Sequence, residues 1–551
     1  MDDTNTANMV MAALKKAEKG YYRATKYVDP TSPEASYPLH MKDVSTFEWS
    51  RIRSFVATEM ASMLAAFDDY VRWFTDPKFL QAKVDENAHI RKRRRRDAAL
   101  TEMDIWTLLK KRRIKEVEEH EIRAWCIVFT VQEILKERRR FICAPEFNDY
   151  CWCEDYCWCE CPMAEVESAV TAVMMETAFV ADFPFFYGQM PLEPATSFYY
   201  GFQWRGRYFV IQSAPTGSRF IPMIAQILTY GIAKKTLRIV DADKTTIHNA
   251  GMTSLTDVCI DNIRISGRNT LVSKLQPVFE EICNELGVTM DEREASKKYV
   301  FLGVAYNHET GSVTLAQKTI TKIESLPLDD KEMHIKEVLG VLGLMVYASR
   351  VLKLNLAAYY HFYKFVRRKA NDSTTMNDKV IIWTAATAQA KAWRTQILLR
   401  SQQQRRPILG CDPDAVVIFS DASLTGWGVV MFQGAKITTA CGKFNYRNEF
   451  DQGEIIAVLE ARAAEYAVDL YKNVVHQYSI KANEEELQTP TVELIIFVDN
   501  ETLRFAAVKG RSKHFTLNAI VGRIAVALGG IVCRWERVPT ANNMADVLTR
   551  L

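Results

Sequence analysis

Apolar and polar positions follow different periods along this chain, and each period predicts a different kind of element. Residues 47–74 (FEWSRIRSFVATEMASMLAAFDDYVRWF) place apolar side chains at helical spacing. Residues 120–149 combine apolar runs with a basic turn and end in APEFND, which predicts two strands joined by a hairpin. Residues 163–305 alternate helices with short strands, and residues 315–400 read as helices. These patterns predict a chain that contains both helical and mixed α/β regions.

The last third of the chain has its own pattern. Residues 402–414 (QQQRRPILGCDPD) are polar and contain two prolines, which is typical of a linker. From Ala415 onward the order becomes strand, strand, helix, strand, helix. This change of pattern predicts a separate C-terminal α/β domain.

Composition narrows the class of protein. The chain has 551 residues, enough for several domains, with 48% hydrophobic and 25% charged residues, as in soluble globular proteins. The sequence lacks an apolar run of transmembrane length and an apolar signal core, so we expect an intracellular protein, cytoplasmic or nuclear. Its 12 cysteines therefore favour reduced thiols or metal binding over disulfides.

The net charge of +3 conceals two strongly basic runs. Residues 91–96 are all basic, and KKRRIK (110–115) adds five more cations. Such runs suit a nucleic-acid backbone or a nuclear import receptor. A solvated helix face or a disordered arm fits either run equally well.

Four acids of the C-terminal region stand where carboxylates can converge. Asp421 ends the strand-like run VIFSD, Glu460 lies on the predicted helix 454–471, Asp499 ends an apolar strand, and Asp546 begins a helix. A buried carboxylate needs a cationic partner, and neighbouring residues of Asp421 supply none. Clustered carboxylates bind the two divalent ions, magnesium or manganese, that phosphodiester hydrolysis uses. Taken singly, each acid is more typical of a turn, an N-cap or a solvated helix face.

Taken together, the surrounding motifs are more specific. SDAS-x-x-GWG, I-x-VLEA-x-A, VDN-x-T and NN-x-AD-x-LTR resemble the ribonuclease H domain of retroelement polymerases across residues 415–551. The resemblance implies that Asp421, Glu460, Asp499 and Asp546 hold two magnesium ions and cut the RNA strand of an RNA–DNA hybrid. Many such domains carry a histidine in the loop before the last acid, but VPTANNM has none.

The middle of the chain resembles a reverse transcriptase palm. FVADFPFFYGQMPL (179–192) matches the first palm motif, with Asp182 as its metal-binding acid and Tyr187 as the aromatic residue that excludes a 2′-hydroxyl. TDVCIDNIRISG (256–267) matches the Y-x-D-D hairpin, with Asp261 as the first acid and Asn262 in place of the second. Phe185 replaces a further acid of the first motif. These motifs resemble those of retroelements of the VIPER and DIRS type. This resemblance implies that asparagine is tolerated as a metal ligand at position 262.

The same resemblance implies several substrate-binding residues. Gly217 and Gln226 belong to the P-x-G-x-x-x-x-P-x-x-x-Q stretch beside the template or incoming nucleotide, and glycine permits close backbone approach. Lys297 or Lys298, before FLG, would hold phosphates, although a solvated lysine pair is equally compatible. The arginines of ERRRFICAPEFND are candidates to bind the triphosphate, because guanidinium binds phosphate bidentately: Arg138, Arg139 and Arg140.

A cysteine-rich insert interrupts the fingers region at residues 151–161. Its spacing, C-x-C-x3-C-x-C-x-C, differs from the paired C-x2-C of common zinc sites, so zinc or copper binding and a loop that tolerates insertion both remain open. The candidate zinc ligands are Cys151, Cys153, Cys157, Cys159 and Cys161.

These observations predict a multidomain α+β protein: a right-hand polymerase followed by an α/β ribonuclease H-like domain with a mixed five-stranded sheet. The expected domains are a helical N-terminal extension (1–88), fingers and palm (89–310), a helical thumb or connection (311–401), the linker (402–414) and the ribonuclease H domain (415–551).

The expected activity is RNA- and DNA-templated DNA synthesis with ribonuclease H activity, two Mg²⁺ or Mn²⁺ ions in each active site, and RNA template, DNA primer, hybrid and deoxynucleoside triphosphates as partners. Two alternatives stay open: a polymerase-inactive scaffold that binds RNA or hybrid, and a protein that retains only the nuclease.

Overall fold

The computed structural model describes residues 28–550 except 89–96, 134–136, 151–160, 165–171, 243–253, 292, 331, 353, 355, 403–414, 445–454, 482–493, 511, 529–530 and 532. The described chain forms two compact units, which divide between Val313 and Thr314. None of the described helices is long and apolar enough to cross a membrane.

The first unit contains eight α-helices among its described residues. They are α1 (Trp49–Glu59), α2 (Leu64–Thr75), α3 (Pro77–Glu86), α4 (Glu102–Lys110), α5 (Phe147–Tyr150), α6 (Pro194–Ser197), α7 (Ile221–Ala242) and α8 (Asn269–Leu286).

The strands of the first unit are short and connect these helices. They are β1 (Ile114–Val117), β2 (Cys126–Glu133), β3 (Arg138–Pro145), β4 (Thr177–Asp182), β5 (Gly201–Trp204), β6 (Arg207–Ile211), β7 (Ser254–Cys259), β8 (Asn262–Gly267), β9 (Arg293–Ser296), β10 (Lys298–Phe301), β11 (Val304–Asn307) and β12 (Ser312–Leu315).

A four-stranded antiparallel sheet in the order β7-β8-β4-β9 lies at the centre of this unit. Helices α7 and α8 pack against it, and Phe179 of β4 contacts Phe279 of α8 with ring centroids 5.2 Å apart. Strands β2 and β3 pair antiparallel, which confirms the hairpin predicted within residues 120–149. Two further sheets have the orders β1-β6-β5 and β10-β11-β12.

The helices before residue 88 are part of this core rather than an extension of it. Helices α1 and α2 pack against α7, and Trp73 stacks on Phe220 at a centroid distance of 4.2 Å. Buried side chains of α2, such as Phe67 and Phe74, belong to the same apolar cluster as the central sheet. The apolar stripe of these helices is therefore buried in the same core as the central sheet.

The second unit begins with a helical region. It contains α9 (Gln317–Glu324), α10 (Ile335–Leu352), α11 (Tyr360–Asp372) and α12 (Thr384–Ser401), with a small antiparallel sheet of β13 (Glu332–His334) and β14 (Lys379–Ile381). Trp393 of α12 is fully buried, stacks on Tyr359 at 4.7 Å and donates a hydrogen bond to Ser349. The predicted helices are present, whereas the two short strands were not anticipated.

The C-terminal part of this unit contains a mixed five-stranded sheet in the order β17-β16-β15-β18-β19, as predicted. Its elements are β15 (Val416–Ala422), β16 (Gly426–Gln433), β17 (Lys436–Lys443), α13 (Ile455–Lys481), β18 (Leu494–Val498), α14 (Glu501–Lys509), α15 (Phe515–Ala527) and β19 (Cys533–Arg537). Strands β15, β18 and β19 are parallel, and the other neighbours are antiparallel. Residues of α13, α14 and α15 share one buried core with the sheet.

Candidate active sites

The edge of the five-stranded sheet brings two of the predicted acids together. Strands β15 and β18 are parallel neighbours in which Phe419 is opposite Phe497. Asp421 and Asp499 each come two residues later, so the same register places them side by side at the carboxyl ends of their strands. Parallel pairing thus converts two positions far apart in sequence into one acidic edge.

Helix α13 supplies the third carboxylate. It packs across β15 and β16, and Glu460 is only 3% exposed. Carboxylate oxygens of Asp421, Glu460 and Asp499 all lie within 4.8 Å of one another. Among the described residues, these acids form the one group of three or more side chains placed to hold a metal ion.

Asp546 is brought to this site by the C-terminal segment. It begins the 3₁₀ helix Asp546–Arg550 and lies close enough to Asp421 to raise the pKa of that carboxyl. Arg550 donates to both oxygens of Asp546, at 2.9 and 3.1 Å. The structure therefore gathers all four predicted acids, with Asp546 at the margin.

The glycines after Asp421 explain how this segment reaches the site. A β-carbon on Gly428 would lie 2.6 Å from the carbonyl oxygen of Ala545, and one on Gly426 would lie 2.7 Å from that of Thr549. Both distances are far inside van der Waals contact. Glycine is needed here because the segment that carries Asp546 crosses directly over β16.

Burial and mutual repulsion perturb the acids strongly. Burial, reinforced by Asp499 and Asp546, raises the pKa of Asp421 to about 7. Burial, reinforced by Asp421 and Asp499, raises the pKa of Glu460 to about 10. The Oε2 atom of Glu460 is buried and has no hydrogen-bond partner. Crowded carboxylates with an unsatisfied buried oxygen fit a divalent cation, so the buried triad is able to bind one.

Two polar residues of the loop before Asp546 were missed by the sequence analysis. Thr540 donates a hydrogen bond to Asp499 Oδ2 at 2.9 Å. The amide of Asn543, which is buried, donates to the carbonyl of Ser420 at 3.1 Å and more weakly to Asp421 Oδ1 at 3.4 Å. Asn543 belongs to the motif NN-x-AD-x-LTR but was assigned no role, and Thr540 lies in the loop VPTANNM, which was interpreted for its lack of histidine.

The central sheet of the first unit brings the two palm acids together. Strand β4 pairs with β8 so that Asp182 is opposite Asn262, and Asp261 is in the turn immediately before Asn262. The amide of Phe183 donates to the carbonyl oxygen of Asp261 at 3.1 Å. Burial raises the pKa of the Asp261 carboxyl.

Asn262 and Gln226 hold this turn in different ways. The Asn262 side chain donates to Asp261 Oδ1 at 2.7 Å, so here it is a hydrogen-bond donor to the acid rather than a second anionic ligand. Gln226 is buried, accepts from the amide of Ile260 at 2.6 Å and donates to the carbonyl of Val258 at 3.2 Å. The same amide nitrogen donates to the carbonyl of Pro162 at 2.6 Å, so the Gln226 side chain links the hairpin to the segment that contains Pro162.

Tyr187 lies beside this acid. Burial, with a further contribution from Asp261, raises the pKa of the Tyr187 hydroxyl well above its usual value of 10. The phenol therefore stays neutral near pH 7, and it lies close enough to Asp261 for the charge of that acid to act on it.

The three consecutive arginines have three different environments. Arg139 is 3% exposed and forms two hydrogen bonds with the Asp104 carboxylate, at 2.7 and 2.8 Å. Arg138 pairs with Glu133 and donates to His40 at 3.0 Å. Arg140 is exposed, pairs with Glu133 at 2.8 Å, and its charge offsets part of the rise that burial causes in the pKa of Asp261. The charge of Arg140 thus acts on Asp261, whereas Arg139 is a buried structural partner of Asp104.

Gly217 and Lys297 were also predicted to bind substrate. A β-carbon on Gly217 would lie 2.7 Å from the carbonyl oxygen of Cys143, so this glycine permits close approach of β3. Ser296 of β9 is opposite Ala178, four residues along β4 from Asp182, and Lys297 follows Ser296. That register separates the α-carbons of Lys297 and Asp182 by more than about 13 Å along the strands.

Four of the five proposed zinc ligands lie outside the described residues: Cys151, Cys153, Cys157 and Cys159. The fifth, Cys161, is half-buried. The basic run at residues 91–96 is also outside them.

Comparisons with known proteins give a structural likeness only. No family model and no curated protein matches the chain. Solved structures of a foamy viral protease–reverse transcriptase are similar at 12% identity. The dRH form in complex with double-stranded DNA has a TM-score of 0.44, with 92% of this chain and 85% of that chain covered.

Two further structures of the foamy viral protein give similar values. Its complex with double-stranded DNA has a TM-score of 0.40 and covers 91% of this chain and 99% of that chain. Its complex with an RNA/DNA hybrid has a TM-score of 0.41, with 92% of this chain and 65% of that chain covered. At these scores the likeness says nothing of activity, which has to be argued from the residues of the two sites.

Proposed function

We propose that this chain is a retroelement reverse transcriptase with an associated ribonuclease H. The observation that carries the proposal is the meeting of Asp421, Glu460 and Asp499, whose carboxylate oxygens lie within 4.8 Å of one another. A structural role does not require two buried acids and a half-buried one to crowd in this way, because the repulsion between them is unfavourable without a cation. The pairing of Asp182 and Asp261 at adjacent strand ends supports a second site for the same kind of chemistry.

In the nuclease, four acids would hold the divalent ions: Asp421, Glu460, Asp499 and Asp546. When bound, the ions activate a water molecule and stabilise the leaving oxygen of the scissile phosphodiester. Thr540 orients the Asp499 carboxylate, and Asn543 ties the loop before Asp546 to the end of β15. The chain thus supplies a fixed set of oxygens, and its contribution is positioning and charge neutralisation.

In the polymerase, Asp182 and Asp261 would hold the ions that bind the primer 3′-hydroxyl and the nucleotide triphosphate. Arg140 is exposed and its charge acts on Asp261, which supports a role for its guanidinium in binding the triphosphate. Tyr187 would contact the sugar. RNA template, DNA primer and deoxynucleoside triphosphates are the substrates that this arrangement requires.

A second function, the nuclease alone, has specific support in the palm. Phe185 and Asn262 replace acids of the palm motifs, and the Asn262 amide donates to Asp261 instead of adding a charge. The palm therefore has fewer anionic ligands than the C-terminal site. In this case the first unit would bind RNA or hybrid without copying it.

Two assays on the full chain separate these functions. Extension of an oligo-dT primer on poly-rA with Mg²⁺ or Mn²⁺ is expected for the wild type and for Asp421→Asn, and is expected to be lost in Asp261→Ala. Cleavage of an RNA–DNA hybrid is expected for the wild type and Asp261→Ala, and is expected to be lost in Asp421→Asn.

The outcomes identify the function. Cleavage without extension in either metal ion rejects the polymerase and leaves the nuclease. Neither extension nor cleavage, with salt-dependent binding to the hybrid, rejects both activities and indicates a scaffold.

A further inference from the structure

The loop between Asp182 and Tyr187 has an unusual backbone. Phe185 has φ +46° and ψ +45°, in the left-handed region that a bulky residue rarely adopts. The amide of Gly188 donates to the carbonyl of Phe185 at 2.8 Å, which closes a tight turn. Such strain persists only where surrounding contacts hold it in place.

The Phe185 ring fills the space that a side chain at position 188 would need. A β-carbon built on Gly188 would lie 2.0 Å from two carbons of the Phe185 ring. Gly188 itself does not have a left-handed φ, so its backbone conformation would accept alanine. The need for glycine at this position therefore comes from the aromatic ring at position 185 and not from the backbone.

Arg113 holds this pair from the other side. Its guanidinium lies 5.0 Å from the centroid of the Phe185 ring, and its Nη1 donates to the carbonyl of Gly188 at 2.7 Å. Nη2 makes a longer contact, 3.4 Å, with the carbonyl of Val44. Burial lowers the pKa of Arg113, which agrees with a guanidinium withdrawn from solvent. The Arg113 side chain thus contacts Phe185, Gly188 and the segment before α1 that contains Val44.

The remainder of the loop is fixed by a buried glutamine. Gln189 donates to the carbonyls of Pro184 and Thr289, at 3.0 and 2.9 Å, and accepts from the amide of Thr289 at 2.7 Å. Its own carbonyl accepts from the amide of Phe47 at 3.1 Å. Tyr187, between Phe185 and Gly188, is therefore presented from a loop that is held at both ends.

We infer that Arg113, Phe185 and Gly188 act as one positioning unit, which fixes the Asp182–Tyr187 loop and thereby sets how strictly the polymerase site selects deoxyribose over ribose. The inference rests on the proposed polymerase function. None of the three residues is a catalytic residue, since each acts through Tyr187 or Asp182. Phe185 stands where an acid was expected, and in this interpretation it acts together with Gly188.

The test is single-nucleotide extension of oligo-dT on poly-rA, with dTTP and UTP measured separately. The purified full chain is compared with Gly188→Ala, Phe185→Ala, the double variant, Arg113→Ala and Arg113→Lys. Gly188→Ala should lower kcat/KM for dTTP roughly 10- to 100-fold and reduce the dTTP/UTP ratio, because a displacement of about 1 Å has effects of this size.

The double variant gives the sharpest result. With the Phe185 ring removed, the β-carbon of alanine has room, so Gly188→Ala should cause no further loss in the Phe185→Ala background. Arg113→Lys should recover part of the activity lost in Arg113→Ala, because the ammonium can still donate to Gly188 but cannot stack in the same way. The circular dichroism spectrum of each variant verifies that the chain is folded.

Each failure has a distinct meaning. No extension by the wild type rejects the proposed polymerase. Wild-type extension with an unchanged dTTP/UTP ratio in Gly188→Ala, or with losses that add in the double variant, rejects the positioning unit. Thermal unfolding of the wild type, Gly188→Ala, Phe185→Ala and the double variant repeats the cycle without activity. Additive shifts in melting temperature would contradict the packing of Phe185 on Gly188.

Discussion

Asp421 and Glu460 present carboxylate oxygens within 4.8 Å of each other, and burial raises their pKa values to about 7 and about 10. Both values exceed those of exposed acids, so the folded protein binds protons more tightly than the unfolded chain. This tighter proton binding adds to the free energy of unfolding. The contribution is fully present below about pH 4 and is lost as pH rises through 7 and towards 10.

Replacing Glu460 with glutamine should therefore stabilise the metal-free protein at high pH. The neutral amide removes the repulsion, so the melting temperature of Glu460→Gln should exceed that of the wild type by about 3 °C or more at pH 9, with little difference at pH 4.5. Thermal unfolding in chelator across this pH range measures the effect. Mg²⁺ at pH 8 should raise the melting temperature of the wild type and not that of Asp421→Asn; a difference independent of pH would contradict the prediction.

Gly428→Ala should impair the nuclease through Asp546. The added β-carbon would meet the carbonyl oxygen of Ala545 and the side chain of Leu548, so the C-terminal segment has to shift. Overpacking of this kind destabilises by about 1–3 kcal/mol, and hybrid cleavage should fall at least tenfold. Gly340→Ala is the matched control, because Gly340 has open space around its α-carbon on helix α10 and alanine favours helix there. Equal cleavage rates in the two variants would show that the segment does not need Gly428.

The sequence predicted the acidic site better than its surroundings. Asp421, Glu460, Asp499 and Asp546 could be found because strand ends, helix periodicity and short motifs are local signals. The pattern of apolar and polar residues did not predict strand β17, because it is an edge strand whose side chains are exposed or half-buried. Thr540 and Asn543 act through contacts to β15 and to Asp499 that only the folded chain reveals.

The three consecutive arginines, Arg138 to Arg140, show a second limit of prediction from the sequence. Alternation along β3 places Arg139 on the face opposite to Arg138 and Arg140, but three identical residues give no signal of which face is buried. The buried partner, Asp104, lies in α4, where it also caps the helix through Thr101. Sequence periodicity cannot pair residues from separate elements, so all three arginines were predicted to bind substrate.

Arg139 and Arg140 should therefore respond to substitution in opposite ways. Arg139→Ala leaves the Asp104 carboxylate buried without its cation and should lower the free energy of unfolding by about 3–5 kcal/mol. Arg140→Ala, at an exposed position, should leave stability nearly unchanged and raise KM for dTTP roughly tenfold, since a hydrogen bond to a charged phosphate is worth about 1.5–3 kcal/mol. Urea unfolding and steady-state primer extension measure the two effects. The reverse assignment, with Arg139→Ala stable but weak in nucleotide binding, would reject this division of roles.

Asn262→Asp should reduce the Mg²⁺ concentration that primer extension requires. The Asn262 amide now donates to Asp261 Oδ1 at 2.7 Å, which occupies an oxygen that a metal ion would use. Aspartate removes the donor and adds an anionic oxygen, so half-maximal extension should occur at severalfold lower free Mg²⁺. Asn307→Asp is the control: it makes the same charge change at a turn where the side-chain oxygen accepts from the amide of Glu309. A higher Mg²⁺ requirement in Asn262→Asp would mean that the hydrogen bond to Asp261 organises the site and that asparagine is the functional residue at this position.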